Sequence, residues 1–180
     1  VKLEFIDSMY SVDIPEICNM NVYDNTLVFE YNSWIRPTRY AIVNLDNLNS
    51  SKIPVTDYIE RSKTLGYNIN KYNAIKLNVN NNGLRITMIY NNEIKGKNKR
   101  CILYGYGAYG TIIKPRFNKY LVSLLNRGYI YCIAHVRGGG ENGYDWYDKG
   151  RKNNKLNSFK DYIECADYLI KNKYTSEGKI

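Results

Sequence analysis

The stretch RCILYGYGAYGTIIKPRFNKYLVSLLNRGYIYCIAHVRGGGENGYDWYDKG, residues 100–150, decides the fold. Two apolar runs, CILY at 101–104 and YIYCIAHV at 129–136, each lead straight into a glycine cluster. The first cluster is Gly105, Gly107 and Gly110; the second is Gly138, Gly139 and Gly140. Between them lies the amphipathic segment FNKYLVSLLN, 117–126. Buried strand, loop, helix and buried strand is the order of a parallel α/β sheet. Open sheets of that class bind ligands beyond the carboxyl ends of their strands, where glycine lets backbone approach closely. The chemistry is therefore expected at these two loops.

Outward from this core, AIKLNV at 74–79 and RITMIY at 85–90 flank NNNG, and Asn82-Gly83 is a strong hairpin turn signal. Further upstream, TLVFEYNSW at 26–34 and RYAIVNLD at 39–46 are strand-like, joined through 32–37 and followed by a polar turn at 46–51. Two strands do not make a stable unit, so residues 1–60 read as part of a larger antiparallel structure. Residues 61–72 read as a polar connector. Downstream, SFKDYIECADYLIKNKY at 158–174 predicts a helix with Ser158 as N-cap and Asp161 three residues on. Its expected apolar face is Phe159, Tyr162, Ile163, Ala166, Leu169 and Ile170.

Composition narrows the class. The 180 residues are 44% hydrophobic and 24% charged, which suits a core-forming globular chain of one domain or pieces of two. No apolar run approaches the roughly 20 residues of a membrane span, and VKLEFIDSMYS has no signal-peptide core, so the expected location is cytoplasmic. The net charge of +9 comes from lysines dispersed among asparagines, as in EIKGKNKR and KGRKNNK, which reads as solvated loops rather than a nucleic-acid surface. Cys18, Cys101, Cys132 and Cys165 are far apart without CxxC pairing and read as reduced thiols. With His135 the only histidine, a zinc site is not expected.

Three functions compete for the glycine-rich core. Gly105-x-Gly107-x-x-Gly110 matches a dinucleotide fingerprint, but Pro115 keeps a helix from starting at the third glycine. Tyr104, Tyr106 and Tyr109 crowd the loop, and the acidic residue expected after the next strand is missing. The second reading is the oxyanion side of an α/β hydrolase, in which a loop tyrosine donates to the developing oxyanion. The third is a structural or interaction module with no chemistry of its own.

LYGYGAYG, followed by SLLNRG, IAHVRGGGENG, WYDKG and SFKDYIECADYLI, resembles the prolyl oligopeptidase family of serine peptidases, and most closely its oligopeptidase B-like branch. The resemblance runs from about Cys101 to Lys179, and EYNSWIRPTRY with the 74–90 hairpin resembles the last propeller blade and the return into the hydrolase domain. It implies an α/β class: residues 1–72 as the C-terminal part of a β-propeller and 73–180 as the N-terminal part of an α/β-hydrolase domain. It implies cleavage of short peptides by a Ser-Asp-His triad, with no metal and no organic cofactor; composition adds that no nucleic-acid or membrane partner is expected. Tyr106 would donate to the oxyanion and Tyr109 would line the substrate pocket. The Arg137–Glu141 loop would help shape the active-site region; the alternative is that Arg137 and Glu141 pair and brace the glycine turn. His135 is expected to be a locally hydrogen-bonded packing residue.

Two departures stand out. No GxSxG or GGSxGG occurs, so the triad is expected to lie beyond TSEGKI at 175–180, and the chain by itself is expected to be inactive, a peptide- or partner-binding remnant being the alternative. Where relatives carry an acidic pair suited to basic substrates, this sequence has Lys114 and Arg116, which are expected to disfavour Arg or Lys near the scissile bond.

Overall fold

The computed structural model describes residues 16–47, 55–58 and 68–180. The polar turn at 46–51 and the 61–72 connector fall mostly outside them. The chain divides into two compact units: Val1–Asn73 with Pro115–Asn118, and Ala74–Lys114 with Lys119–Ile180.

The first unit carries a four-stranded antiparallel sheet in chain order: β1 (Glu16–Tyr23), β2 (Thr26–Asn32), β3 (Arg39–Asn44) and β4 (Val55–Tyr58). The two strands anticipated from sequence are the middle pair. In β1 the alternation is broken by a bulge between Cys18 and Asn21, where Asn19 sits at φ 49°, so EICNMNVY carries no clean two-residue period. Phe29, Tyr31, Ala41 and Val43 are buried.

The second unit is a sheet in the order β5 (Tyr72–Asn78), β6 (Arg85–Asn91), β8 (Ile130–His135), β7 (Cys101–Gly105). β7 and β8 are parallel, as the strand-helix-strand pattern requires; β8 meets β6 antiparallel, so the sheet is mixed rather than wholly parallel. The hairpin upstream of the core causes this, because it adds its own strands to the same sheet. The crossover helix α1 spans Lys119–Asn126. Residues 111–118 are irregular, in keeping with Pro115. A short helix α2 (Tyr144–Asp148) and the long helix α3 (Leu156–Lys171) follow.

Alternation along β6 and β8 builds two faces. Ile86, Met88, Cys132, Ala134 and Val136 share one core with Trp146 of α2 and Cys165 and Leu169 of α3. The opposite parity holds Thr87, Ile89, Ile133 and His135, and there Asn91 donates to Asn126 at the end of α1 (3.2 Å). The thiols of Cys101, Cys132 and Cys165 are free and buried. Burial, reinforced by the carboxylates of Asp161 and Glu164, pushes the Cys165 thiol up to about 12, so it stays protonated.

α3 overturns one expectation from sequence. Ser158 is not its N-cap: the helix begins at Leu156, after Lys155, and Ser158 and Asp161 lie inside it, buried at 5% and 2% exposure with Cys165 and Leu169. Phe159 and Ile163, expected in the core, are 57% and 60% exposed. The helix is turned by about one residue relative to the apolar count. Its inner face is set by the polar groups that the neighbouring loops need.

Candidate active-site face

Both glycine loops emerge from the carboxyl ends of the parallel pair, and each is built against the other. Gly110 N–H donates to Gly138 O (3.0 Å), and Gly140 N–H donates to Thr111 O (3.3 Å). A Cβ on Gly138 would lie 2.2 Å from Gly107 O, and one on Gly107 would lie 2.4 Å from Val136 Cγ2. Both residues also hold φ in the left-handed region, at 94° and 60°. These glycines let backbone approach backbone, where the sequence suggested an approach to a ligand.

The outer tip of the first loop is a turn in which Thr111 N–H donates to Ala108 O (3.0 Å). Its central residues, Tyr109 and Gly110, have φ 56° and 64°, the sign pattern of a type I′ turn. Tyrosine is an unusual tenant of that conformation, which costs it roughly 1 kcal/mol. The turn leaves Tyr109 85% exposed. Tyr106 is 46% exposed, and its hydroxyl has no hydrogen-bond partner among the described residues. With Gly105, Val136, Lys155, Ser158, Phe159 and Tyr162 it lines a hollow of about 270 Å³. Tyr162 forms the floor near β7, its hydroxyl donating to Leu103 O (2.6 Å) while its ring lies against Gly105.

Arg137 and Glu141 do not pair with each other. Arg137 is bound to Asp161 on α3: its backbone N–H donates to Oδ2 (2.9 Å) and its Nε–H to the same oxygen (2.8 Å). That hydrogen bonding raises the guanidinium's pKa, against the opposing effect of burial. The pair lines a second hollow of about 330 Å³ with Asn80, Asn82 and Trp146, which shares no residue with the Tyr106 hollow. Glu141 turns inward, its side chain only 4% exposed. Its Oε1 accepts from Ile113 N–H (3.2 Å) and lies 3.4 Å from His135 Nδ1, whose other nitrogen is 2.8 Å from Thr87 Oγ1. Burial raises the Glu141 carboxyl, but the hydrogen bonds from His135 and Ile113 outweigh it, and the net pKa is lowered. His135 is thus the locally bonded strand-end residue anticipated for it. Lys114 and Arg116 are both exposed on the irregular stretch before α1.

Two residues at this face went unrecognised in the sequence. Ser158 Oγ donates to Arg137 O and lies 3.2 Å from Gly150 O. Lys155 Nζ donates to Gly107 O and to Ser158 Oγ (3.2 Å). The available signal for Ser158 was the spacing of Ser158, Asp161 and Cys165, a small-and-polar stripe at helical period beside the apolar one.

A parallel βαβ core with glycine loops packed at one end of its sheet is the architecture of an α/β domain. Residues 115–180 match the model of the Prolyl oligopeptidase family. The chain is 31% identical over 180 residues to Dipeptidyl aminopeptidase BI of Pseudoxanthomonas mexicana, spanning 97% of this chain and 24% of that protein. It is 48% identical over 79 residues to Protease 2 of Moraxella lacunata, covering 44% and 11% of the two chains. Oligopeptidase B from Trypanosoma brucei, solved in a closed form with covalently bound antipain, superposes at a TM-score of 0.71 with 32% identity. That match covers 93% of this chain and 24% of the other. The chain is thus similar to the prolyl oligopeptidase family over residues 115–180, and to peptidases bearing these names over most of its length. It spans about a quarter of the length of Dipeptidyl aminopeptidase BI and of the Oligopeptidase B chain.

Proposed function

We propose that this chain supplies the oxyanion and substrate-pocket side of a serine peptidase active site, in a protein that cleaves short peptides by acyl transfer. On this reading residues 1–72 end a β-propeller and residues 73–180 begin the α/β-hydrolase domain. The serine, aspartate and histidine lie outside these 180 residues, and the location is cytoplasmic. The serine Oγ attacks the scissile carbonyl carbon and the histidine takes its proton. As the carbonyl π bond opens, negative charge develops on the oxygen. The Tyr106 hydroxyl donates to that oxygen, more strongly in the tetrahedral intermediate than in the ground state. Collapse expels the amine, which the histidine protonates, and water then releases the acyl group. Tyr109 lines the pocket for the residue beside the scissile bond. Arg137 and Glu141 hold the loop that shapes its far wall, each through its own inward partner. Lys114 and Arg116 repel basic substrate side chains.

The observation that carries this reading is the exposed Tyr106, with an unpartnered hydroxyl, on a loop braced through the second glycine cluster. A preorganised donor is what oxyanion stabilisation needs. Treating the full-length gene product with a fluorophosphonate should label one serine and abolish peptide hydrolysis. An unlabelled, inactive protein would instead support the peptide- or partner-binding reading.

A further inference from the structure

We infer that Lys155 is a positioning residue for the Tyr106 loop, acting as a cationic clamp between the two glycine clusters. This inference rests on the role proposed for Tyr106. Lys155 lies at the junction of a short helical turn and α3, so its backbone is fixed from both sides. Its ammonium donates to the carbonyl of Gly107, one residue after Tyr106. It donates also to Ser158 Oγ, which passes its own hydrogen to Arg137 O on the second loop. One cation thereby ties the two loops to α3 through a single relay. The Gly107 carbonyl is held from the other side by Gly138, whose missing Cβ leaves the space for it. The carbonyls of Gly107, Arg137 and Gly150 all converge on Ser158 Oγ, at up to 3.5 Å, where one hydroxyl hydrogen cannot serve three acceptors. The ammonium supplies Gly107 O with a charged donor of its own, which frees the Ser158 hydrogen for Arg137 O. Lys155 also borders the hollow that Tyr106 lines. Nζ also lies 5.9 Å from the ring centroid of Phe159, a second contact that holds the ammonium in place.

The test uses the full-length gene product with Lys155→Met, Lys155→Arg and Ser158→Ala, each alone and combined with Tyr106→Phe. Amide exchange over 105–111 and steady-state peptide hydrolysis are the two readouts. Lys155→Met should speed exchange in that segment about 10-fold and lower kcat about 10-fold at unchanged KM, as loss of transition-state positioning requires. Lys155→Arg should restore most of both, and Ser158→Ala should show the same pattern more weakly. In the Tyr106→Phe background, Lys155→Met should lower kcat by less than about twofold, because the residue acts through Tyr106. Full multiplicative losses in that background, or unchanged exchange over 105–111 in Lys155→Met, would overturn the inference. Should Lys155→Met not fold, Ser158→Ala, alone and with Tyr106→Phe, carries the same comparison. A parent protein with no hydrolase activity would defeat the proposed function instead, and the exchange data alone would then decide whether Lys155 holds the loop.

Discussion

The two sheets bury different chemistry. In the β2–β3 pair the interior is Phe29, Tyr31, Ala41 and Val43, and Ser33 beside it caps its own turn by accepting from Ile35 and Arg36 N–H. The β5–β8 sheet buries Thr87, Asn91, His135, Ser158, Asp161 and Thr175 among its apolar residues. Four of these, Thr87, His135, Ser158 and Asp161, bond to the Arg137–Glu141 loop or to the residues that hold it. Burying polar groups is costly unless each is paired, so a core that does so is committed to one backbone arrangement. The contrast teaches where the molecule spends stability on geometry: the described interior of the β2–β3 pair is packed apolar side chains, while the loop face of the second sheet is built on a hydrogen-bonded frame.

The largest break in that frame should come from Asp161→Ala. It strips the guanidinium and backbone N–H of Arg137 of their acceptor and should cost about 3 kcal/mol. The chain has two tryptophans, so urea unfolding in a Trp34→Phe background, read by Trp146 fluorescence, reports this sheet alone. Gly138→Ala should follow, at about 2 kcal/mol in the same assay, because the new methyl meets Gly107 O and the residue sits at φ 94°. Equal stability in either variant would mean the frame is decorative. The smallest effect sharpens the comparison. Glu141→Gln should cost about 1 kcal/mol at neutral pH. The folded carboxyl titrates below its ordinary 4.5, so its stabilisation is present above that value and lost as pH falls through the lower folded value. Wild type should therefore lose stability more steeply than Glu141→Gln below about pH 4.5, and parallel acid limbs would remove Glu141 from the frame.

The same contrast explains what could be read in the sequence. Strands whose interior is apolar announced themselves: β2, β3, β6, β7 and β8 follow from alternation or apolar runs, and Asn82-Gly83 marked its hairpin. α3 was found as a helix but read one residue out of phase, because an apolar count cannot see that Ser158 and Asp161 are drawn inward by the carbonyls and guanidinium of a loop 21 and 24 residues upstream. The glycines were legible as special, yet their reason was not: Gly107 and Gly138 answer each other across two loops. Tyr106 and Tyr109 came from motif resemblance, and both are exposed. Lys155 was hidden among the lysines of KGRKNNK, where composition suggested only solvated charge.

The most direct test of the central claim is the kinetic effect of Tyr106→Phe in the full-length gene product with a short peptide amide substrate. An oxyanion-donating Tyr106 requires a kcat about 10²- to 10³-fold lower with KM nearly unchanged, the mark of a donor used mainly in the transition state. A Tyr106→Phe enzyme with wild-type kcat would contradict it and leave the exposed hydroxyl without a role in the chemistry.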